Sequence, residues 1–486
     1  MVYPAQTSLM PIHVALARFL TQDGGVLAKY PYWYLGTTPI RYLTGPILPA
    51  ALIILQRFSS LNMFEIFLCL VSFSFPLGAS GVYLLVRDLK GSRLSAFLTA
   101  VFYFFGPIIP FLFRFSSGLY LITFTFLPFI LVGYLRFLRK RTQKLFVLLL
   151  LMVSFVILLD SMIVPSLIIG MVAIFIAKVG WRKTEERLRQ SLWLIFGSFL
   201  LTTLWYTPGY WLTLLGAPSL AGKGLAGVIA WLLKLLPTAL AFGVAIFSGK
   251  FFKKRNLLRD FCFYWLFIFG FLTLFRFLSD PDFWLDWIAY GIELQFGLAI
   301  LGGLLLGRWL KRVEKKPVHR AWRYQVLMSR RTVTLVLVLV IVGTAWMITF
   351  NSYVVATLQP NVEETVEYKL GKYLSEIAKP GDRVFLSGTS TFWLNAFFDI
   401  PQVRGGVDQA STDPNWRKAT WELREGTNPE KSVKWLKDLD VSYLVVHTDE
   451  SKEFYHDFTY QEKFEKAEGL EKIYDESGDR IYRVAY

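Results

Sequence analysis

The chain has 486 residues, 54% of them hydrophobic and 17% aromatic, with a formal net charge of +16 and a mean hydropathy of +0.44. That composition excludes an ordinary soluble domain. The basic excess lies in short loops between apolar runs rather than in a stripe with spaced aromatics, which excludes a nucleic-acid partner and points to membrane orientation.

The start of the chain lacks the basic region and unbroken apolar core of a cleavable signal. It carries His13 and Asp23, the latter in "TQDGG", where it reads as a turn residue. Residues 30–49, "YPYWYLGTTPIRYLTGPILP", are too apolar for a surface loop and too broken by Pro and Gly for a spanning helix. They read as a folded loop on the outer membrane face, its Tyr and Trp rings at headgroup level, with an interfacial helix over 43–58. Residues 1–62 thus form an outer-face segment. Cys69 and Cys262 sit inside apolar runs and make neither a disulfide framework nor a CxxC site.

Residues 63–350 read as a transmembrane domain of about ten spans, near 63–86, 94–113, 119–135, 145–159, 162–177, 191–214, 228–249, 260–278, 284–307 and 332–350. Basic residues crowd every second loop: Arg87 to Arg93, Arg136 to Lys144, Lys178 to Arg189, Lys250 to Arg259 and Arg308 to Arg331. The intervening loops carry only Arg114, Lys223 and Arg276. The first set belongs in the cytoplasm. Both chain ends are then outside, and an exported start with no signal implies one further helix upstream of Met1.

Few carboxylates interrupt this domain. Asp160, in "VILLDSMIVPS", either lines a cavity at the outer tip of a helical pair or caps the turn there. Asp280, Asp282 and Asp286 cluster in "RFLSDPDFWLDW"; Asp282 and Asp286 share a helical face and suit Mg²⁺ or Mn²⁺, or Ser279 and Asp280 simply cap the next helix. Lys234 and Glu293 are isolated charges in apolar runs. Arg41, Lys234 and Arg276 are placed to meet lipid phosphates.

After the last span the composition turns polar. "NVEETVEYKLGKYLSEIAKPGDRVFLSG" and "PEKSVKWLKDLDVSYLVVH" each read as helix, turn and strand, and "LEKIYDESGDRIYRVAY" as a hairpin. Residues 361–486 are therefore a small extracytoplasmic α/β domain. Between its two helix–strand units, "FFDIPQVRGGVDQAS" places a free Arg404, Gly405, Gly406 and Asp408 in a tight loop with backbone amides to offer.

Four stretches resemble the GT-C integral-membrane glycosyltransferases, and within them the group labelled 6-pyruvoyl-tetrahydropterin synthase-related membrane proteins. They are "YPYWYLGTTPIRYLTGPILP", "LLVRDLKGSRLSAFLTAVFYFF", "LTTLWYTPGYWLTLL", and "FDIPQVRGGVDQAS" with "LDVSYLVVH" and "IYRV". The resemblance implies a GT-C helical bundle, a sugar donor linked to polyprenyl phosphate, an acceptor on the outer face of the cell membrane, and a divalent metal or base on an acid of the first outer loop. Here that loop holds Asp23 alone, and Thr7 and Leu9 stand before His13. The catalytic candidates are then Asp160, Asp282, Asp286, Asp23 and His13, with Asp282 and Asp286 as metal ligands. The rival readings are a GT-C-like scaffold without catalysis in cell-envelope assembly, and a lipid or solute transporter, against which the absence of an inverted repeat counts.

Overall fold

A computed structural model describes residues 3–4, 9–22, 25, 27–179, 185–215, 240, 243–244, 256–278, 290–314 and 330–486. Apolar runs with capped ends set the helices. The N-terminal segment contains β1 (Tyr3–Pro4), α1 (Met10–Gln22), α2 (Ile40–Leu43) and α3 (Ile47–Phe58). The bundle follows with α4 (Met63–Asp88), α5 (Arg93–Phe104), α6 (Ile108–Phe115), α7 (Leu119–Lys140), α8 (Gln143–Leu159), α9 (Val164–Val179), α10 (Glu185–Thr202) and α11 (Pro208–Leu215). It continues with α12 (Leu257–Leu278), α13 (Gly291–Glu314) and α14 (Arg330–Tyr353). Asn62 opens α4 with a reciprocal capping box to Glu65, each side chain meeting the other residue's backbone N–H.

Among the described residues, seven helical stretches are long and apolar enough to cross a membrane. The run expected as one span at 94–113 is one of these seven, Arg93–Phe115, built of two helices. The break at Gly106 is clamped by Gln295 of α13, whose Oε1 accepts from Ile108 N at 2.8 Å and whose Nε2 donates to Tyr103 O at 3.0 Å. This satisfies backbone groups that apolar surroundings would leave bare. The run at 191–214 also breaks, at residues 203–207. The expected span at 228–249 lies almost wholly outside the described residues. Gly303 and Gly307 bring α13 onto α5: a Cβ on either would fall within 2.4 Å of Thr99 or Ser95 side-chain oxygens.

At one end of the bundle Arg136 pairs with Asp88 at 2.6 Å and Arg141 with Glu186 at 2.7 Å, gathering the basic turns. At the other end sits the C-terminal domain. It comprises β2 (Leu358–Gln359), α15 (Val366–Ile377), β3 (Arg383–Phe385), α16 (Ser390–Phe397), α17 (Asn415–Glu425), α18 (Pro429–Asp438), β4 (Val441–His447), β5 (Leu470–Glu476) and β6 (Asp479–Val484). Its sheet has the order β3-β4-β6-β5, with β3 parallel to β4 and the other pairs antiparallel. Both helix–strand units and the closing hairpin expected from the sequence are present. Gly478 turns the hairpin with φ 84°.

The N-terminal segment joins the two parts. β1 pairs with β2, α1 packs on α16, and Phe64 at the start of α4 stacks on Trp393 at 5.3 Å. Here one expectation fails. Tyr30, Trp33 and Tyr34 do not lie among headgroups; all three are fully buried, in one core with Phe385, Val403 and Trp416 of the C-terminal domain. Trp33 Nε1 donates to Asn395 Oδ1 at 2.8 Å, so the indole's polar end is satisfied inside protein. In α3, by contrast, Ile54, Leu55 and Phe58 remain exposed, as an apolar face toward lipid requires.

Candidate functional site

A cavity of about 230 Å³ lies where the bundle, the N-terminal segment and the C-terminal domain meet. Each contributes to its wall. α1 supplies His13, the end of α2 and the turn after it supply Tyr42 to Gly45, and α7 supplies Tyr120. The tip between α8 and α9 gives Asp160 and Ser161, the break before α11 gives Tyr206 and α11 itself Tyr210, Tyr290 stands just before α13, and the first turn of α13 gives Glu293. Gly406 and Val407 close it from the C-terminal domain.

Asp160 is held by local geometry. α8 ends at Leu159, and Asp160 turns to an extended backbone (φ −153°, ψ 116°). Its Oδ1 accepts from Met162 N at 2.9 Å, capping the short turn Ser161–Ile163. The two sequence readings of Asp160 thus coincide: it caps the turn and it borders the cavity. Ser161 next to it exchanges a hydrogen bond with the Tyr210 hydroxyl, and Tyr210 stacks on Tyr206 at 4.5 Å and meets Tyr42 edge-on at 5.5 Å.

This aromatic wall depends on small residues. A Cβ on Gly45 would lie 1.9 Å from the Leu158 carbonyl oxygen and 2.8 Å from the Tyr206 hydroxyl; one on Gly209 would lie 2.7 Å from the Tyr42 hydroxyl. The Trp205 indole donates to Thr44 O at 2.8 Å, locking the two non-helical stretches together. Prolines and glycines are needed because neither stretch could make these approaches as a continuous helix.

Glu293 is buried in the first turn of α13. Its Oε1 accepts from Ser166 Oγ at 2.6 Å and from the Tyr120 hydroxyl. Its backbone carbonyl accepts from Trp265 Nε1 at 2.7 Å. His13 is also buried, edge-on to Phe67 at 5.6 Å, and burial lowers its pKa to about 3, so the imidazole is neutral.

The other sequence candidates divide. Arg404 is not free: it pairs with Asp457 at 3.4 Å and bonds Ser387. Asp408 pairs with Arg417 at 3.2 Å. Nearby amides are in use, Gln402 N donating to Tyr32 O at 2.8 Å and Val403 N to Val384 O at 3.1 Å. Gly405 and Gly406 matter for contact: a Cβ on them would meet Trp33 at 2.5 Å and Ile12 at 2.6 Å, so the pair lets this loop reach the cavity wall. Arg41 stands beside Tyr42 in α2, its Nε buried without a hydrogen-bond partner. Asp23, Lys234, Asp282, Asp286 and the Arg276 side chain lie outside the described residues. Sequence reasoning missed Tyr42, Tyr120, Tyr206, Tyr210 and Tyr290 as wall residues. The one signal was the dense aromatic–Pro–Gly run at 205–211.

Among the described residues no group of three His, Cys, Asp or Glu side chains is placed to hold a metal. The arrangement instead offers one half-buried carboxylate, one buried carboxylate and one neutral imidazole around a tyrosine-lined space.

No family model matches the sequence, and no curated protein matches it either. Solved structures do. Arabinofuranosyltransferase AftD from Mycobacteria superposes with TM-score 0.59 at 15% identity, over 100% of this chain and 40% of that one. The oligosaccharyltransferase of Archaeoglobus fulgidus, in complex with Zn and sulfate, gives 0.55 at 13% identity, over 99% of this chain and 69% of that one. ArnT from Cupriavidus metallidurans bound to undecaprenyl phosphate gives 0.54 at 13% identity, over 98% and 93%. The fold is that of the GT-C glycosyltransferases. The chain spans 40% of the length of AftD and 93% of that of ArnT.

Proposed function

We propose that this protein is a GT-C glycosyltransferase that takes a sugar from a polyprenyl-phosphate carrier and transfers it, with inversion, to an acceptor on the outer face of the cell membrane. The observation that carries the reading is Asp160, a carboxylate bordering the cavity where bundle and C-terminal domain meet. The acceptor hydroxyl gives its proton to Asp160 as its oxygen attacks the anomeric carbon. The bond from that carbon to the phosphate oxygen breaks, and the electron pair leaves on the polyprenyl phosphate. Arg41, one residue from the wall tyrosine Tyr42, is the described cation for that phosphate; Lys234 and Arg276 share the assignment.

The gathering of basic turns at the bundle end away from the C-terminal domain supports an extracytoplasmic position for that domain and the cavity. The ArnT neighbour's undecaprenyl phosphate supports the class of carrier. The aromatic–Gly–Pro stretch at 30–49 and the "RGG" loop support placement in the pterin-synthase-related membrane group. Asp282 and Asp286 would hold Mg²⁺ or Mn²⁺, which would offset the charge developing on the departing phosphate.

Native mass spectrometry of the detergent-purified protein with undecaprenyl phosphate tests the reading. Wild type should retain this lipid over phosphatidylglycerol, and Arg41→Ala should weaken retention. In a transfer assay with undecaprenyl-phosphate-linked sugars, Asp160→Asn should lower turnover roughly 10²- to 10⁴-fold with unchanged lipid retention. Equal retention of both lipids by wild type would sink the proposal.

A further inference from the structure

Two buried side chains at the cavity carry polar atoms with no hydrogen-bond partner among the described residues. Glu293 is 1% exposed, and its Oε2 makes no hydrogen bond. His13 is 4% exposed, and neither ring nitrogen has a partner. Buried polar atoms are nearly always hydrogen-bonded, so each exception calls for a reason. Here two exceptions from helices far apart in sequence, α1 and α13, border one cavity.

The surroundings of Glu293 fix it. Ser166 and Tyr120 both donate to Oε1, their own oxygens 3.1 Å apart, while Trp265 ties the backbone. One carboxylate oxygen is tethered and the other is left open. A base that must collect and release a proton is poorly served by such a clamp. A fixed acceptor that reads a hydrogen-bond donor is well served by it, because the clamp removes the orientational freedom that binding would otherwise cost. Asp160, tethered at one oxygen by a single backbone N–H and half-buried, is the group with access and freedom for proton transfer.

We infer that Glu293 is a specificity-determining residue for the transferred sugar: its Oε2 accepts a hydrogen bond from a hydroxyl or amino group on the sugar ring, and His13 makes a second polar contact to the same ring. The substrate class is a sugar carrying a donor at that ring position, and the site rejects the analogue deoxygenated there. The inference rests on the glycosyltransferase reading above.

The test measures binding, so it stands apart from turnover. Undecaprenyl phosphate, its glucose, mannose, galactose and arabinose conjugates, and the monodeoxy and aminodeoxy analogues of the best binder are titrated against wild type and Glu293→Gln by native mass spectrometry. Wild type should bind one conjugate more tightly than the bare lipid. Glu293→Gln should lose roughly ten- to hundredfold for that conjugate and nothing for the bare lipid. One monodeoxy analogue should lose a similar factor on wild type and nothing further on Glu293→Gln. Tighter binding of the aminodeoxy analogue at that position would identify the donor as an amine; weaker binding would identify a hydroxyl. Tyr120→Phe, which keeps the ring but releases the clamp, serves as the second variant should Glu293→Gln fail to fold, and should lose part of the same selectivity. If Glu293→Gln binds every ligand as wild type does, or no conjugate exceeds the bare lipid, the inference is wrong. If wild type does not retain the bare lipid, it is the underlying glycosyltransferase reading that fails.

Discussion

At the scale of single residues, what could be read from the sequence was charge out of place. Asp160 and Glu293 are visible because a carboxylate inside an apolar run is costly without a partner or a cavity, and both border the cavity. Arg404 shows the limit of that signal: its counter-charge, Asp457, lies fifty-three residues further on, and only the folded sheet brings them together. The wall tyrosines gave little signal beyond the aromatic–Pro–Gly run at 205–211, since a tyrosine in an apolar run suits burial, a membrane interface or a ligand equally. Gly45 offers a sharp test at this scale. Gly45→Ala would drive a Cβ into the Leu158 carbonyl oxygen, and the required backbone shift should destabilise the protein by about 1–3 kcal/mol. The same shift should reduce retention of undecaprenyl phosphate. Thermal unfolding in detergent and lipid retention check both; an unchanged melting temperature would mean that the two tips separate freely.

At the scale of elements, length and hydropathy located the bundle but not its breaks. The stretch at 94–113 reads as one helix because Gly106 and Pro107 occupy only two positions in a long apolar run; what makes the break tolerable is Gln295, almost two hundred residues away. Gln295→Leu removes both hydrogen bonds; Tyr103 C=O keeps the Gly106 N–H at 3.3 Å, but Ile108 N–H loses its partner. A loss of about 1–3 kcal/mol for the orphaned amide is expected, read as a lower melting temperature and faster hydrogen exchange across residues 104–110. The aromatic run at 30–34 was misplaced for a related reason. Rings flanked by Pro and Gly satisfy a membrane interface and a protein interface alike, and the sequence does not say that Asn395 awaits the Trp33 indole. The helix–strand units of the C-terminal domain were legible because their period, caps and turn residues are all local.

At the scale of the molecule, the C-terminal domain is held between two titrations of opposite sign. Asp457 is raised by its burial, but Arg404, Arg424, the Ser387 hydroxyl and the Gly388 amide outweigh that and hold it below its ordinary 3.8. Its contribution to stability is therefore complete above the carboxylate range and lost as pH falls through the lowered value. His447 is lowered by burial, but the hydrogen bond to Asp479 and the charges of Glu453, Asp479 and Glu367 outweigh that and hold it above 6.5. Its contribution is complete below 6.5 and lost as pH rises through the raised value. Melting temperature should pass through a maximum on the mildly acidic side of neutrality. Asp457→Asn should make the acid limb shallower, leaving the part that buried neutral His13 contributes below 6.5, and His447→Asn should flatten the alkaline one; a single sloping profile for wild type would contradict this account.

The pairing of Tyr3–Pro4 with Leu358–Gln359 has a consequence for how the chain is made. Its first two-residue strand waits for a partner some 350 residues later in synthesis, and the aromatic run at 30–34 waits longer still for Asn395 and Trp416. At ordinary elongation rates that is roughly twenty seconds to a minute or more. Throughout that interval a ribosome-bound intermediate carries three large unburied rings and an unpaired strand edge. Biogenesis of this protein is thus a problem of guarding its beginning until its end arrives, and a chain arrested before residue 358 should expose the 27–45 segment to protease while the completed chain protects it.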